Sequence, residues 1–323
     1  MFLSHKFTHF SPTVSRKKIR FVYLYAMKQL PEDILRKLKA VLRRIEVAAA
    51  FDFIGKDDFN TATSVETLSR ISGMSERSLR DYFKEYTGQS LVKYVSARRA
   101  EYAARIFRLF PDTSKSEAAR AIGFSCLNGI YALMRKNGVT NIDSLRNGMP
   151  RQTDVLPYRT EWLQDCILFY RQEDVLYQDC SKIEFEADNW DAVEAYVTTK
   201  FPFANLVGYV GFAIDRYIAN DTESGVFLSG ILYSGISACN LKTDMLREIG
   251  WRSICSKDYA VFTYQGSYEG LDNFYNQVLS TLRQTEALKV DISTPFMEKY
   301  LNSPSDNTPE EELMTELWGP LKD

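Results

Sequence analysis

The chain repeats a short helical pattern once, at a spacing of 50 residues. Gly73 and Gly123, Ser75 and Ser125, Phe83 and Leu133, and Gly88 and Gly138 each stand that far apart, and Ile-Ser-Gly before the first serine is echoed by Ala-Ile-Gly before the second. A glycine supplies the positive φ of a sharp turn and a serine two residues on can cap the next helix, so each copy predicts a helix-turn-helix. Between the copies, Ser90 to Phe110 keeps a helical pattern for roughly 20 residues. At about 1.5 Å per residue that helix can hold two recognition helices about one DNA turn apart.

In the first copy, Leu79, Tyr82, Phe83 and Tyr86 form the apolar stripe of the second helix, and Gly88 ends it at a C′ position. Arg77, Arg80, Asp81 and Lys84 are left facing outward. A solvated charged face and a DNA-reading face both have this composition; the repeat favours the second. Arginine matches guanine O6 and N7 in the major groove, and later basic residues meet phosphates.

The charge distribution agrees. Residues 1–150 hold 26 Lys and Arg against 14 Asp and Glu, net +12, which leaves 14 against 28, net −14, for residues 151–323. A basic half suits a polyanion and an acidic half is repelled by one. Only His5 and His9 exist, so the body of the chain has no imidazole for a catalytic triad, a His-ligated metal or a His base. Five cysteines without a C-x-x-C pair argue against a disulfide framework or zinc site and fit a reducing compartment. The expectation is no metal, no cofactor and no catalytic residue.

FVYLYAM is far shorter than the roughly 20 residues of a membrane span, so no membrane partner and a cytoplasmic location are expected. Residues 1–26 lack acidic residues and helical periodicity and read as a weakly ordered extension. From Pro31, apolar positions Ile34, Leu35, Leu38, Val41, Leu42 and Ile45 predict a first helix. Further helical blocks follow at Val65 to Ser72, Ser75 to Tyr86, Ser90 to Phe110, Ser116 to Ile122, Ser125 to Lys136 and Ile142 to Arg146. After Pro150 the texture changes to β-branched and aromatic runs (CILFY, ANLVGYVGFAI, GVFLSGILYSG, YAVFTYQG, ELWGP) alternating with two amphipathic helices around Trp190 and Leu271. The fold class is therefore multidomain: an all-α double helix-turn-helix domain, then an α+β domain whose antiparallel sheet carries two helices, with an internal duplication. The boundary falls near 147–157, giving domains at 27–148 and 155–323; SPSDNTPEEE reads as a surface loop before the last strand.

Residues 60–146 resemble the AraC/XylS-type DNA-binding domain. The resemblance is carried by S-x-R-x-L-x-x-x-F-K-x-x-T-G-x-S at Ser75 to Ser90, by Tyr94, Arg98, Arg99 and Ala103 on the linking helix, and by A-x-x-I-G-F-S at Ala119 to Ser125. It implies base contacts from Arg77, Arg80 and Asp81, with Lys84 and Arg99 serving backbone contacts or structure. The second copy departs from the family pattern: Cys126, Leu127, Asn128, Gly129 and Ile130 occupy its reading turn, Met134-Arg135 replaces Phe-Lys, and Thr140-Asn141 replaces Thr-Pro. Asn128, Arg135 and Lys136 remain its candidate DNA contacts, the two basic residues for phosphate. Base readout is expected to concentrate in the first unit.

Residues 155–323 resemble the GyrI-like effector-binding domain through YAVFTYQGSYEGLDNFYNQVLSTL, PFMEKYLN and TELWGPLKD. The resemblance implies a small-molecule effector, apolar or cationic, in an aromatic pocket at a pseudo-two-fold, with a glutamate on the last strand as contact. The matching residue is Glu316, with Trp318 on the same strand face and Tyr264, Tyr209, Phe212 and Trp251 as candidate walls; Glu298 matches another family position and reads as structural. The leading reading is a transcription regulator with double-stranded DNA, a small-molecule effector and RNA polymerase as partners, and no enzyme activity. Two alternatives stay open for the second half: a small-molecule hydrolase using Glu316 and Tyr264, or a protein-interaction module.

Overall fold

A computed structural model of the chain describes residues 30–51, 59–146, 155–177, 183–216, 218, 221–241, 248–292 and 294–322. The extension expected at 1–26 and most of the proposed boundary at 147–157 lie outside them.

The first half is helical: α1 (Glu32–Phe51), α2 (Phe59–Ala62), α3 (Val65–Ser72), α4 (Glu76–Thr87), α5 (Leu91–Leu109), α6 (Lys115–Ala121) and α7 (Leu127–Lys136), closed by a 3-10 turn at Ile142–Arg146. Leu38, Val41 and Ile45 of α1 share one buried face, as their spacing predicts, and pack with Leu68, Leu79, Phe83 and Leu91 around the first helix-turn-helix. A second core joins Phe59, Ala100, Ala103, Ala104, Phe107, Ala118, Ile122, Ile130 and Met134. Helix α5 therefore runs from one core into the other. Its alanines remove bulk where neighbouring helices come closest.

Among the described residues the second half is one sheet of eight strands with two α-helices. Its elements follow the chain as β1 (Arg159–Leu163), β2 (Cys166–Leu176), α8 (Ile183–Lys200), β3 (Asn205–Arg216), β4 (Asp221–Ser234), β5 (Gly250–Ile254), β6 (Lys257–Gln265), α9 (Leu271–Gln284), β7 (Met297–Tyr300) and β8 (Met314–Pro320). The strand order β1-β6-β8-β7-β3-β4-β2-β5 is antiparallel at every pairing. Exchanging β1–β4 with β5–β8 reads that order backwards, so the expected duplication is a pseudo-two-fold whose axis passes between β3 and β7. The SPSDNTPEEE segment forms two short 3-10 turns, the first closed by a Ser303–Asp306 capping box.

Side chains leave the sheet on two faces, as the period of two requires. One carries α8 and α9 over Phe169, Phe227, Tyr300, Phe262 and Leu317. The other gathers Leu168, Tyr170, Val210, Phe212, Val261, Met297 and Trp318, and Val47 of α1 packs into it.

Candidate functional sites

Each helix-turn-helix unit is set by its caps. In the first, Ser64 Oγ accepts from the Thr67 N–H at 3.1 Å, Gly73 takes φ +63° in the turn, and Ser75 Oγ accepts from the Ser78 N–H at 3.1 Å at the start of α4. Leu79 and Phe83 anchor α4 in the core, which turns Arg77, Arg80, Asp81 and Lys84 to solvent. Arg80 pairs with Glu76 at 3.0 Å and Arg77 with Asp81 at 3.9 Å along the helix, where screening by water leaves both guanidiniums available to DNA.

The second unit copies the turn but not the cap. Gly123 takes φ +75°, yet α7 starts one residue later than Ser125 predicts, with Cys126 at the N-cap and no side-chain capping bond. Gly129 inside α7 has a local reason: a Cβ there would stand 2.4 Å from Cδ1 of Phe124. Asn128, Arg135 and Lys136 are exposed.

Arg99 is brought elsewhere. Its Nε donates to the Ile122 carbonyl at 2.8 Å, Nη1 donates to Asn60 Oδ1 at 2.6 Å, and the guanidinium lies 3.8 Å from the Phe124 ring centre. Of the two roles that the sequence left open for it, these contacts fill the structural one: it ties α2 and α5 to the second turn. Arg98 is buried against Glu46 at 2.7 Å and against Glu101, fastening α5 to α1.

In the α+β half the six residues expected to form one pocket divide between the two faces of the sheet. Register places Glu316 opposite Lys299 and Thr263, on the face of Trp318 and Phe212. Tyr264, Tyr209 and Trp251 stand on the helix face. The expectation of a single six-residue pocket is thus corrected by strand parity: Trp318 does share a face with Glu316, donating from Nε1 at 2.9 Å, but the tyrosines do not. The Glu316 carboxylate is also taken by Arg159 Nη2 at 2.6 Å, so an internal cation already answers its charge.

The helix face holds a different acid. Glu298 of β7 lies opposite Gly211 of β3, at the pseudo-two-fold, and is 6% exposed. Its Oε1 accepts from the Tyr275 hydroxyl of α9 at 2.8 Å and its Oε2 from the Tyr300 hydroxyl at 2.5 Å. The Trp190 ring of α8 and the Tyr268 ring meet Tyr300 edge-on at 5.4 and 5.6 Å between centroids. Trp190 is fixed by donating Nε1 to the Gly230 carbonyl at 2.9 Å. Gly211 makes room for this packing, since a Cβ would come within 2.5 Å of the Tyr300 hydroxyl. Burial, then the adjacent Glu298 charge and its hydrogen bond, hold the Tyr300 phenol well above the ordinary tyrosine range, so it stays a proton donor. Sequence reasoning passed over Trp190, Tyr268, Tyr275 and Tyr300; the signal present was the aromatic spacing around Glu298 and Leu271.

A family model described as a helix-turn-helix domain matches residues 68–138, and one described as a GyrI-like small molecule binding domain matches residues 217–322. The chain thus carries an AraC-type helix-turn-helix followed by a C-terminal GyrI-like domain, the domain pair of a DNA-binding transcription regulator that binds a small molecule. No curated protein matches it. Among solved structures, a putative bacterial transcription regulation protein from Staphylococcus aureus MU50 is 22% identical over 52% of this chain and 99% of its own, with a TM-score of 0.35. SAV2435, solved bound to tetraphenylphosphonium, is 20% identical over 52% and 94%, with a TM-score of 0.35. EcmrR in a complex with DNA is 13% identical over 80% and 99%, with a TM-score of 0.39. Among the described residues no helix is long and apolar enough to cross a membrane.

Proposed function

We propose that the chain is a transcription regulator that reads DNA mainly through α4 and responds to a small apolar cation held beside Glu298. The observation that carries the effector half is the buried Glu298 carboxylate, set among aromatic side chains at the pseudo-two-fold. Tyr275 and Tyr300 donate their hydroxyls to Glu298, and the Trp190 and Tyr268 rings pack on Tyr300. An acid set among ring faces suits an apolar cation, to which cation–π contact adds about 0.5–2 kcal/mol. Coupling to DNA requires different effector affinities in the two states of the regulator. RNA polymerase is the further partner this role implies.

The test is a thermal-shift titration with tetraphenylphosphonium as an apolar monocation, since a ligand of the folded state raises the melting temperature by mass action. The wild type and Glu316→Gln are expected to respond and Glu298→Gln to lose the response while keeping its circular dichroism. Equal shifts in all three would sink the assignment. On the DNA side, Arg77→Ala is expected to relax sequence preference at one position by about 1–3 kcal/mol, and Arg135→Ala to weaken binding uniformly. A footprint with equally strong, sequence-specific protection from both units would contradict the concentration of readout in α4.

A further inference from the structure

The eight-stranded sheet has two ends. Among the described residues β1 pairs only with β6 and β5 only with β2, so each end presents a row of backbone N–H and C=O groups to an incoming strand. The pseudo-two-fold makes these ends equivalent in the fold. Their sequences are not equivalent.

Tyr158 to Trp162, the first four residues of β1 and the one before it, run Tyr-Arg-Thr-Glu-Trp, a pattern centred on Thr160 with opposite charges on either side and an aromatic beyond each. β5 has Arg252 at its centre, so pairing with its own copy sets like charges directly opposite, which is destabilising. β1 is also open to solvent: Tyr158 is 39% and Trp162 57% exposed, and the Arg159 and Glu161 side chains are 44% and 39% exposed. Charges on an edge strand normally deter pairing. Here their order favours one particular pairing.

We infer that β1 is a self-association edge at which two copies of the chain pair antiparallel about Thr160, joining two eight-stranded sheets into one. Within one strand Arg159 already pairs with Glu161 and reaches Glu316 through Nη2. In the two-fold register these pairs lie side by side, with Thr160 facing the partner's Thr160, Arg159 the partner's Glu161 and Glu161 the partner's Arg159. Tyr158 meets the partner's Trp162 on the other side of the strand, because successive side chains alternate faces. The interface is isologous and closes at two subunits. A two-fold dimer carries two DNA-binding domains, so its operator contains two half-sites.

The experiment is the mass of the full chain in solution by light scattering, with two variants and a cross-link. The wild type is expected at twice the monomer mass at high concentration; Glu161→Arg, which sets Arg against Arg twice, and Trp162→Glu are each expected at the monomer mass with unchanged circular dichroism. Directly opposite Cα atoms in an antiparallel pair stand about 4.5–5.5 Å apart, within disulfide reach, so Thr160→Cys is expected to form a covalent dimer under mild oxidation beyond the wild-type background set by exposed Cys126, Cys239 and Cys255. A monomeric wild type, a dimer indifferent to both variants, a Thr160→Cys cross-link no faster than wild type, or growth beyond a dimer through β1 meeting β5 would each overturn the assignment. None of these readouts depends on the effector or on DNA.

Discussion

Burial strips water from several phenols and one thiol, and each responds by holding its proton more tightly. Tyr170, packed beneath the sheet, is pushed up to about 12 by burial against the smaller opposing influence of Arg44 and Arg43. Half-buried Tyr209 reaches about 12 through burial and then its hydrogen bond to Glu194, and the buried Cys166 thiol about 12 through burial and then the Asp165 charge. Tyr102 and Tyr259 shift the same way, again mainly by burial. The unfolded phenol titrates near about 10, so each raised group binds its proton more tightly in the folded state. Its stabilisation is complete below that pH and is lost as pH rises toward 12. The melting temperature is therefore expected to hold level up to about pH 9 and fall steeply above about pH 10. Tyrosinate absorbance should rise in the same transition that removes the helical circular dichroism. Tyrosines ionising independently near pH 10 with the fold intact would contradict their burial.

At the scale of elements, Arg99 decides whether the second unit has a fixed shape. It joins α5 to Asn60 of α2 and to the carbonyl before Gly123, and it stacks on the Phe124 ring that excludes a Cβ at Gly129. Arg99→Ala is expected to cost about 2 kcal/mol in urea unfolding, the scale of charge-assisted hydrogen bonds at a partly buried site. The salt slope of DNA binding should remain that of wild type. A phosphate contact would instead lower that slope by about one on removal, so the two roles separate in one titration. The elements themselves were largely legible in the sequence, because apolar periodicity writes α1, α3, α4 and α9 locally and serine caps open α3, α4 and α5. β1, β5 and β7 were not, since they are four or five residues long and carry Arg, Glu or Lys rather than an apolar run. The candidate site was less legible for the same reason. Which face Glu298 or Glu316 occupies follows from pairing with β3, β6 and each other, and a register set between distant strands leaves no trace within one of them.

At the scale of the molecule, the two halves touch through packed side chains as well as along the chain. Phe110, capping α5, stacks on Phe296 at 6.1 Å, Arg283 Nη2 of α9 donates to the Leu109 carbonyl at 2.8 Å, and the Tyr102 hydroxyl donates to the Ile292 carbonyl at 3.2 Å. Lys322 pairs with Glu117 at 2.7 Å, and Val47 of α1 enters the sheet's second core. Helix α5, like α1, contributes to both helix-turn-helix cores, and its C-terminal end is anchored to α9 and to the segment before β7. Interfaces of this kind make neighbouring domains melt together when they are apolar and tightly packed. Wild-type calorimetry is expected to show one transition that shifts as a whole when tetraphenylphosphonium is added. Phe110→Ala removes the stacked ring, which packs at the margin of the core under α9, and leaves the buried residues of both halves in place. It is expected to split the trace in two, with only one of the resulting transitions responding to the cation. A single transition that survives Phe110→Ala unchanged would place the coupling in the α1–sheet contact at Val47, and Val47→Asp would then be the variant that divides it.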